Sequence, residues 1–258
     1  MLNNELVKKI TASKKYAEIY EKTVARIVSD CLKKYPEKQV VKKAKNILHQ
    51  IWGAYFDSQP NFKKLLESIS KTNNPKEIAL SLLRLQSSTK ERIPILDTFY
   101  KEIFAVTGIP KTIIDIGSGL NPLTFFWMNL PEKTQYHAFD IDKNQAWFLK
   151  SFFNLFKVEQ VKISLGDALI DKFHKSDIAF FFKIIPLLEQ QEKNSALRIL
   201  KEQDSKFLIV SFPTKSIGGK QKGMIDFYSK QFQDLIEDQS WKVEKLLFES
   251  ELVFIIKK

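Results

Sequence analysis

The sequence predicts an α/β protein in which a doubly wound, mostly parallel sheet of seven strands follows an N-terminal helical domain. Two observations carry this expectation. Beyond Pro110, short runs rich in β-branched and aromatic residues alternate with helix-length stretches: "TIIDIG", "YHAFDID", "VKISLGD", "DIAFFFKII", "KFLIVSFP", "KLLFES" and "ELVFIIKK". That alternation calls for parallel strands with helices on both faces. Before Pro110, apolar residues recur instead at spacings of three and four, as in Leu6 and Ile10, Tyr16, Ile19 and Tyr20, then Val24, Ile27, Val28, Cys31 and Leu32. With lysines in the gaps, this is the pattern of amphipathic helices. The expected division is a basic helical domain over 1–110 and a ligand-binding sheet domain over 111–258.

Within the helical part, Pro36 separates two helices and a further one carries "KAKNILHQIWGAYF". In "KTNNPKE", Asn74 and Pro75 supply a cap and a first-turn residue for a helix running to Leu85. In the sheet part, the last two apolar runs lie too close together for a helical crossover, so they are expected to form an antiparallel hairpin at the edge. No internal repeat or low-complexity linker interrupts the chain.

Composition limits the function. A chain of 258 residues, 44% hydrophobic, can bury one full core and a smaller accessory one. The single cysteine, Cys31, excludes an internal disulfide and a thiolate metal cage, and points to a reduced, cytoplasmic setting. His49, His137 and His174 have no partner at ligand spacing, so no catalytic metal is expected. No stretch has the length and apolarity of a signal peptide or membrane span, and a soluble protein is expected. The net charge of +11 is unevenly placed: residues 1–110 hold 20 Lys/Arg and 11 Asp/Glu, residues 111–258 hold 21 and 19. A cationic front half favours a polyanionic partner, most simply nucleic acid; a solvated lysine-rich surface is the alternative.

Six of the eight glycines fall at carboxyl ends of expected strands: Gly117 and Gly119 after the first, Gly166 after the third, and Gly218, Gly219 and Gly223 beyond the fifth. Ligands bind at that edge of an open α/β sheet, and glycine lets backbone approach them closely. A dinucleotide site would carry a third glycine where Pro122 stands, after Asn121, which reads as a helix cap. The turn suits a ligand without a pyrophosphate, and S-adenosylmethionine fits. Its methionine end can lie against Gly117–Gly119. Asp140, 23 residues after Gly117, can accept both ribose hydroxyls, and Asp167 can accept from the adenine amino group. Helix capping is the alternative role for both carboxylates. A doubly wound sheet closed by an antiparallel hairpin is the layout of the class I S-adenosylmethionine-dependent methyltransferase fold.

Six segments extend the reading: "LHQIWGAY", "SSTKER", "DIGSGLNPL", "YHAFDID", "FKIIPLLEQQ" and "SFPTKSIGGKQKGM". Together they resemble the aminoglycoside-resistance 16S rRNA guanine-N7 methyltransferases, the Arm/Rmt group, from the N-terminal helices to the last strand. One departure is Ser118, where the family usually has cysteine; serine is near-isosteric and presents the same backbone. The resemblance implies methylation of guanine 1405 at N7 within the assembled 30S subunit. It implies that Arg92 pairs with the cofactor carboxylate, that Gly117, Ser118 and Gly119 line the methionine moiety, and that Asp140 takes the ribose. Gly166 and Asp167 would hold the adenine, with Phe182 and Gln191 completing the pocket.

From the residues alone, Arg92 could equally be a solvated charge beside Glu91. Lys183, ending the run "IAFFFK", is the candidate catalytic residue, positioning the target base or its phosphate; snorkelling to the surface is the alternative. Lys215, Lys220 and Lys222 in the glycine-lysine loop are expected to grip RNA beside the target, or else to be a solvated turn. Trp52, Tyr55, Phe126 and Trp127 read as core rather than as stacking platforms.

Guanine N7 carries a lone pair and no proton, so methylation there needs no general base. The sequence agrees: after the fourth strand stands "KIIP" rather than the [D/N]-P-P-[Y/F/W] of exocyclic-amino methyltransferases, and Cys31 lies too early for a cysteine-nucleophile mechanism. The target base is expected to be flipped out of its stack. A monomer without an obligate protein partner is expected. The competing readings are an adenine-N1 methyltransferase of the same drug site and a non-catalytic RNA-binding protein; a nicotinamide-dependent oxidoreductase is disfavoured by Pro122 and the basic front.

Overall fold

A computed structural model describes residues 2–53, 60–69, 74–215 and 223–258. The chain opens with α1 (Leu2–Thr11), α2 (Glu21–Lys34) and α3 (Glu37–Leu48), the last running into a π-helical turn, His49–Gly53. Ile10, Ile19, Val24, Val28, Val40 and Leu48 form a small core of their own, with lysines outside. Pro36 precedes α3 as its N-cap, and Tyr55 lies outside the described residues.

Four further helices follow: α4 (Phe62–Ile69), α5 (Pro75–Leu83), α6 (Ser87–Arg92) and α7 (Leu96–Thr107). The Asn74 side chain caps α5, accepting from the backbone N–H of Lys76 and Glu77 at 3.2 and 3.3 Å. The change of composition at Pro110 is not a change of core. Leu82, Phe99, Tyr100 and Ile103 pack into the same cluster as Ile113, Tyr136 and Phe180 of the sheet. A second core begins only with this segment, so α4–α7 cover the sheet while α1–α3 stand on their own cluster.

The strands are β1 (Thr112–Ile116), β2 (Gln135–Asp140), β3 (Val161–Leu165), β4 (Ser176–Phe182), β5 (Ser205–Pro213), β6 (Lys242–Leu247) and β7 (Glu251–Lys257). Their order is β3-β2-β1-β4-β5-β7-β6. β1 pairs in parallel with both β2 and β4, so the winding reverses between β1 and β4, and a crevice opens at their carboxyl ends. β7 returns between β5 and β6 and runs antiparallel to both. The expected hairpin is therefore inserted, leaving β6 at the edge, where Lys242 and Lys245 discourage further pairing.

Alternation along β4 explains its unbroken apolarity. Phe180 and Phe182 face the side covered by α4, α5, α7 and α8 (Lys143–Leu155), Ala179 and Phe181 the opposite side. Each fully buried phenylalanine contributes about 2–3 kcal/mol of burial free energy. On the far face lie α9 (Ile185–Gln191), α10 (Ser195–Glu202) and α11 (Met224–Ile236). Two local expectations need correction. The segment after the glycine turn is a 3-10 helix, Asn121–Trp127, capped at Leu120 rather than by Asn121. β4 stops at Phe182 because Lys183 adopts a left-handed backbone, φ 57°.

Candidate active site

The β1 turn is built on two left-handed glycines, Gly117 at φ 67° and Gly119 at φ 52°. An L side chain in that region costs about 1–2 kcal/mol. Space forbids it as well: a Cβ on Gly117 would overlap Cδ1 of Ile184, and one on Gly119 would lie 2.5 Å from Gln86 Oε1. The turn is tied to β2 by the N–H groups of Gly117 and Ser118, which donate to the Phe139 carbonyl at 2.9 and 3.1 Å. Gln86 Oε1 accepts from Leu120 N at 2.7 Å. Between the glycines, the Ser118 hydroxyl is buried without a hydrogen-bond partner.

Asp140 closes β2 with Oδ2 accepting from Gly119 N at 2.8 Å and Oδ1 accepting from Asp142 N at 3.1 Å. Burial raises its pKa, and those backbone donors moderate the rise. The helix-capping role belongs to its neighbour. Asp142 accepts from Gln145 N at 2.9 Å at the start of α8, and from the Trp52 indole at 2.7 Å. Burial pushes Asp142 up to about 6.

Arg92 is 1% exposed, which removes the reading of a solvated charge. Its guanidinium carbon packs against the rings of Phe182 and Phe99, 4.4 and 4.8 Å from their centroids, the two rings meeting edge to face at 66°. In the plane, Nε and Nη2 donate to the two oxygens of Glu251 at 2.6 and 2.9 Å, and Nη1 donates to Asn121 Oδ1. Asn121 in turn donates to Asp115 at 2.8 Å and accepts from the Tyr100 hydroxyl at 3.0 Å. Burial disfavours the Arg92 charge, but Glu251, Tyr100 and Asp115 together more than offset this and its pKa ends above the ordinary value. Burial takes the Asp115 carboxyl up to about 6.

At the other end of the crevice, Asp167 accepts from Leu169 N at 2.9 Å, so part of its role is local capping. Its second oxygen accepts from the Thr23 hydroxyl at 2.8 Å and from Arg26 at 3.2 Å, both on α2. Arg26 Nη2 also donates to Gln191 Oε1 at 2.7 Å. Helix α2 thus forms a wall of the crevice.

One cavity brings together Arg92, Gly117, Ser118, Gly119, Asp140, Gly166, Asp167, Phe182, Lys183 and Gln191. Gly166 has Phe139 and Phe173 within 3.1 Å of where its Cβ would lie. Lys183 does not snorkel: its side chain is 8% exposed, and Nζ donates to Glu91 at 2.7 Å and lies 3.5 Å from Glu251. Lys215 is half-exposed and pairs loosely with Glu249 at 3.5 Å. Lys220 and Lys222 lie outside the described residues. Sequence reasoning missed Thr23, Arg26, Gln86, Asn121 and Glu251. Arg26 is one cation among many on an amphipathic helix, and nothing near it in sequence marks it.

The chain matches the family described as ribosomal RNA methyltransferase (FmrO) over residues 12–255. It is 35% identical to a 16S rRNA (guanine(1405)-N(7))-methyltransferase of Proteus mirabilis, with 98% of this chain and 96% of the relative covered. A protein of the same description from Micromonospora echinospora is 33% identical, covering 96% of this chain and 94% of that one. Among solved structures, the 16S rRNA methylase RmtB is similar at a TM-score of 0.83 and 29% identity, covering 99% of this chain and 98% of that one. The 16S rRNA methyltransferase RmtF in complex with S-adenosyl-L-homocysteine is similar at a TM-score of 0.84 and 25% identity, with the same coverage. A seven-stranded sheet with this order, a cavity at its switch point that gathers the glycine turn, Asp140 and Arg92, and these full-length similarities agree: the chain belongs to the FmrO family of ribosomal RNA methyltransferases.

Proposed function

We propose that the protein transfers a methyl group from S-adenosylmethionine to N7 of guanine 1405 of 16S rRNA in the assembled 30S subunit, and so confers aminoglycoside resistance. The observation that carries the reading is the order of polar groups along one cavity, Arg92 and Ser118 at one end, Asp140 in the middle and Asp167 at the other, in a chain similar, end to end, to proteins of that activity. At one end Arg92 uses three of its five N–H donors on Glu251 and Asn121, leaving two for a carboxylate. Beside it, the unpartnered Ser118 hydroxyl suits an amine or carboxylate. These features fit the methionine end of the cofactor.

When bound, the cofactor supplies an electrophilic methyl on a sulfonium centre. The chain's residues hold and orient. Asp140 accepts the ribose hydroxyls, and Asp167 with Gln191 faces the adenine, Arg26 keeping both in place. Phe182 and the glycine turn exclude water from the methionine end. Guanine N7 attacks with its own lone pair, so no residue removes a proton, and rate enhancement comes from alignment and from the charges around the crevice. Lys183, anchored to Glu91, positions the flipped base or its phosphate at the crevice mouth.

Recognition of the folded subunit falls to the basic front. Lys9, Lys38, Lys42 and Lys45 line a groove between α1 and α3, suited to phosphates. Lys215, with Lys220 and Lys222, grips the strand next to the target. The protein acts as a monomer in the cytoplasm.

The test is to incubate purified protein with methyl-labelled S-adenosylmethionine and either 30S subunits or naked 16S rRNA, then cleave the rRNA chemically at 7-methylguanine. A single cut at 1405 from 30S alone is expected. Label on 30S without that cut would move the target to another atom or base, and no label on either substrate would overturn the catalytic reading.

A further inference from the structure

We propose that Glu251, the first residue of the last strand, is a positioning residue that aims Arg92 at the cofactor carboxylate; this rests on the reading of Arg92 given above. Glu251 is fully buried and held in register opposite Pro213 of β5. An ionised carboxylate in such a place needs strong partners. It has two cations: Arg92 in a two-point fork at 2.6 and 2.9 Å, and Lys183 Nζ at 3.5 Å. Burial alone would raise its pKa, but Arg92 and then Lys183 bring it below the ordinary value.

The fork does what ring packing cannot. Phe99 and Phe182, which meet edge to face at 66°, pack against the guanidinium without fixing how it is turned. Glu251 takes the Nε–Nη2 edge, Asn121 takes one Nη1 hydrogen, and the turn is then fixed. What remains is one hydrogen on each terminal nitrogen, on a group that lines the cavity. That is the two-point edge a carboxylate pairs with. Charge is already balanced, Arg92 and Lys183 against Glu251 and Glu91, so the cofactor carboxylate is recognised by the free N–H donors of Arg92 rather than by an excess of positive charge.

A glutamine at 251 would keep one acceptor but turn an NH2 group toward Arg92, where two donors would face each other. Calorimetry with S-adenosylhomocysteine and with 5′-methylthioadenosine, which lacks the amino-acid carboxylate, reads the consequence. In Glu251→Gln, affinity for S-adenosylhomocysteine should fall about tenfold or more, the worth of one charge-assisted hydrogen bond, while that for methylthioadenosine stays within twofold. Equal loss of both ligands, or no loss of either, overturns the proposal. Arg92→Lys is the control: selective loss there without selective loss in Glu251→Gln overturns the proposal and leaves the Arg92 reading standing. Absence of selective loss in Arg92→Lys overturns both. Should Glu251→Gln not fold, Glu251→Asp keeps the charge and shortens the reach by one methylene. A smaller selective loss is then expected, and equal effects on the two ligands overturn the proposal.

Discussion

Arg26 on the second helix and Asp167 at the end of the third strand form an ion pair of 3.2 Å, with side chains 11% and 5% exposed. It joins two parts of the chain that the sequence separates by 141 positions. Because Arg26 also donates to Gln191, its loss leaves a buried carboxylate and an amide short of a partner together. Arg26→Ala should lower unfolding free energy by about 3 kcal/mol, toward the small end of the cost of breaking a buried pair, since Thr23 and Leu169 still donate to Asp167. Urea unfolding measures this. Binding of S-adenosylhomocysteine should weaken in parallel, and unchanged affinity would show that α2 is scaffold alone.

The glycine turn makes a sharper prediction. Gly119→Ala must place a methyl 2.5 Å from Gln86 Oε1 and hold alanine at φ 52°. Backbone strain of about 1–2 kcal/mol is unavoidable, and moving Gln86 breaks its bond to Leu120 N. Cofactor affinity should drop at least about tenfold. Gln86→Ala in the same chain should relieve the clash but not the strain, recovering part of the stability. A double variant no better than Gly119→Ala would contradict the steric account.

Lys183 and Arg92 should separate kinetically. Arg92 lies inside the methionine end, whereas Lys183 reaches from β4 to Glu91 on α6 at the margin. Arg92→Ala should chiefly raise KM for the cofactor, and Lys183→Met should chiefly lower kcat for methylation of 30S, by about tenfold or more. Steady-state assays varying each substrate in turn distinguish the two. A cofactor KM that rises equally in both variants would mean that Lys183 belongs only to the carboxylate cluster.

The main features of the fold were legible because they are local. Alternation of Phe180, Phe181 and Phe182 between two faces marks a doubly covered strand, and Gly117 with Asp140 marks a ligand edge. The missed residues share a different property: each acts across the fold. Glu251 meets Arg92 only because β7 returns beside β5, 159 positions on. Asn121 looked like a cap because its neighbour is proline, yet its side chain turns inward to Asp115 and Arg92. No spacing rule encodes contacts that depend on which strand is inserted where.

Acid stability should be set by groups pulling in opposite directions. Burial raises Asp142 to about 6 from 3.8, so the folded chain takes up that proton before the unfolded chain does and gains stability as pH falls from about 6 toward 3.8. His137 is lowered to about 4 from 6.5, first by burial and then by His174, whose Nε2 lies 2.9 Å from its Nδ1. The unfolded chain takes up that proton first, so stability is lost as pH falls from 6.5 toward 4. Single variants should tilt the profile both ways. Asp142→Asn has one oxygen for two donors, Gln145 N and the Trp52 indole, so its NH2 group faces one of them unpaired. It should be less stable than the parent, by a margin that widens as pH falls from about 6 toward 3.8, because only the parent gains from taking up the proton. His137→Gln should do the reverse, gaining on the parent as pH falls through about 6. Thermal unfolding of the three proteins across this range tests both signs, and parallel profiles would show that neither group titrates within it.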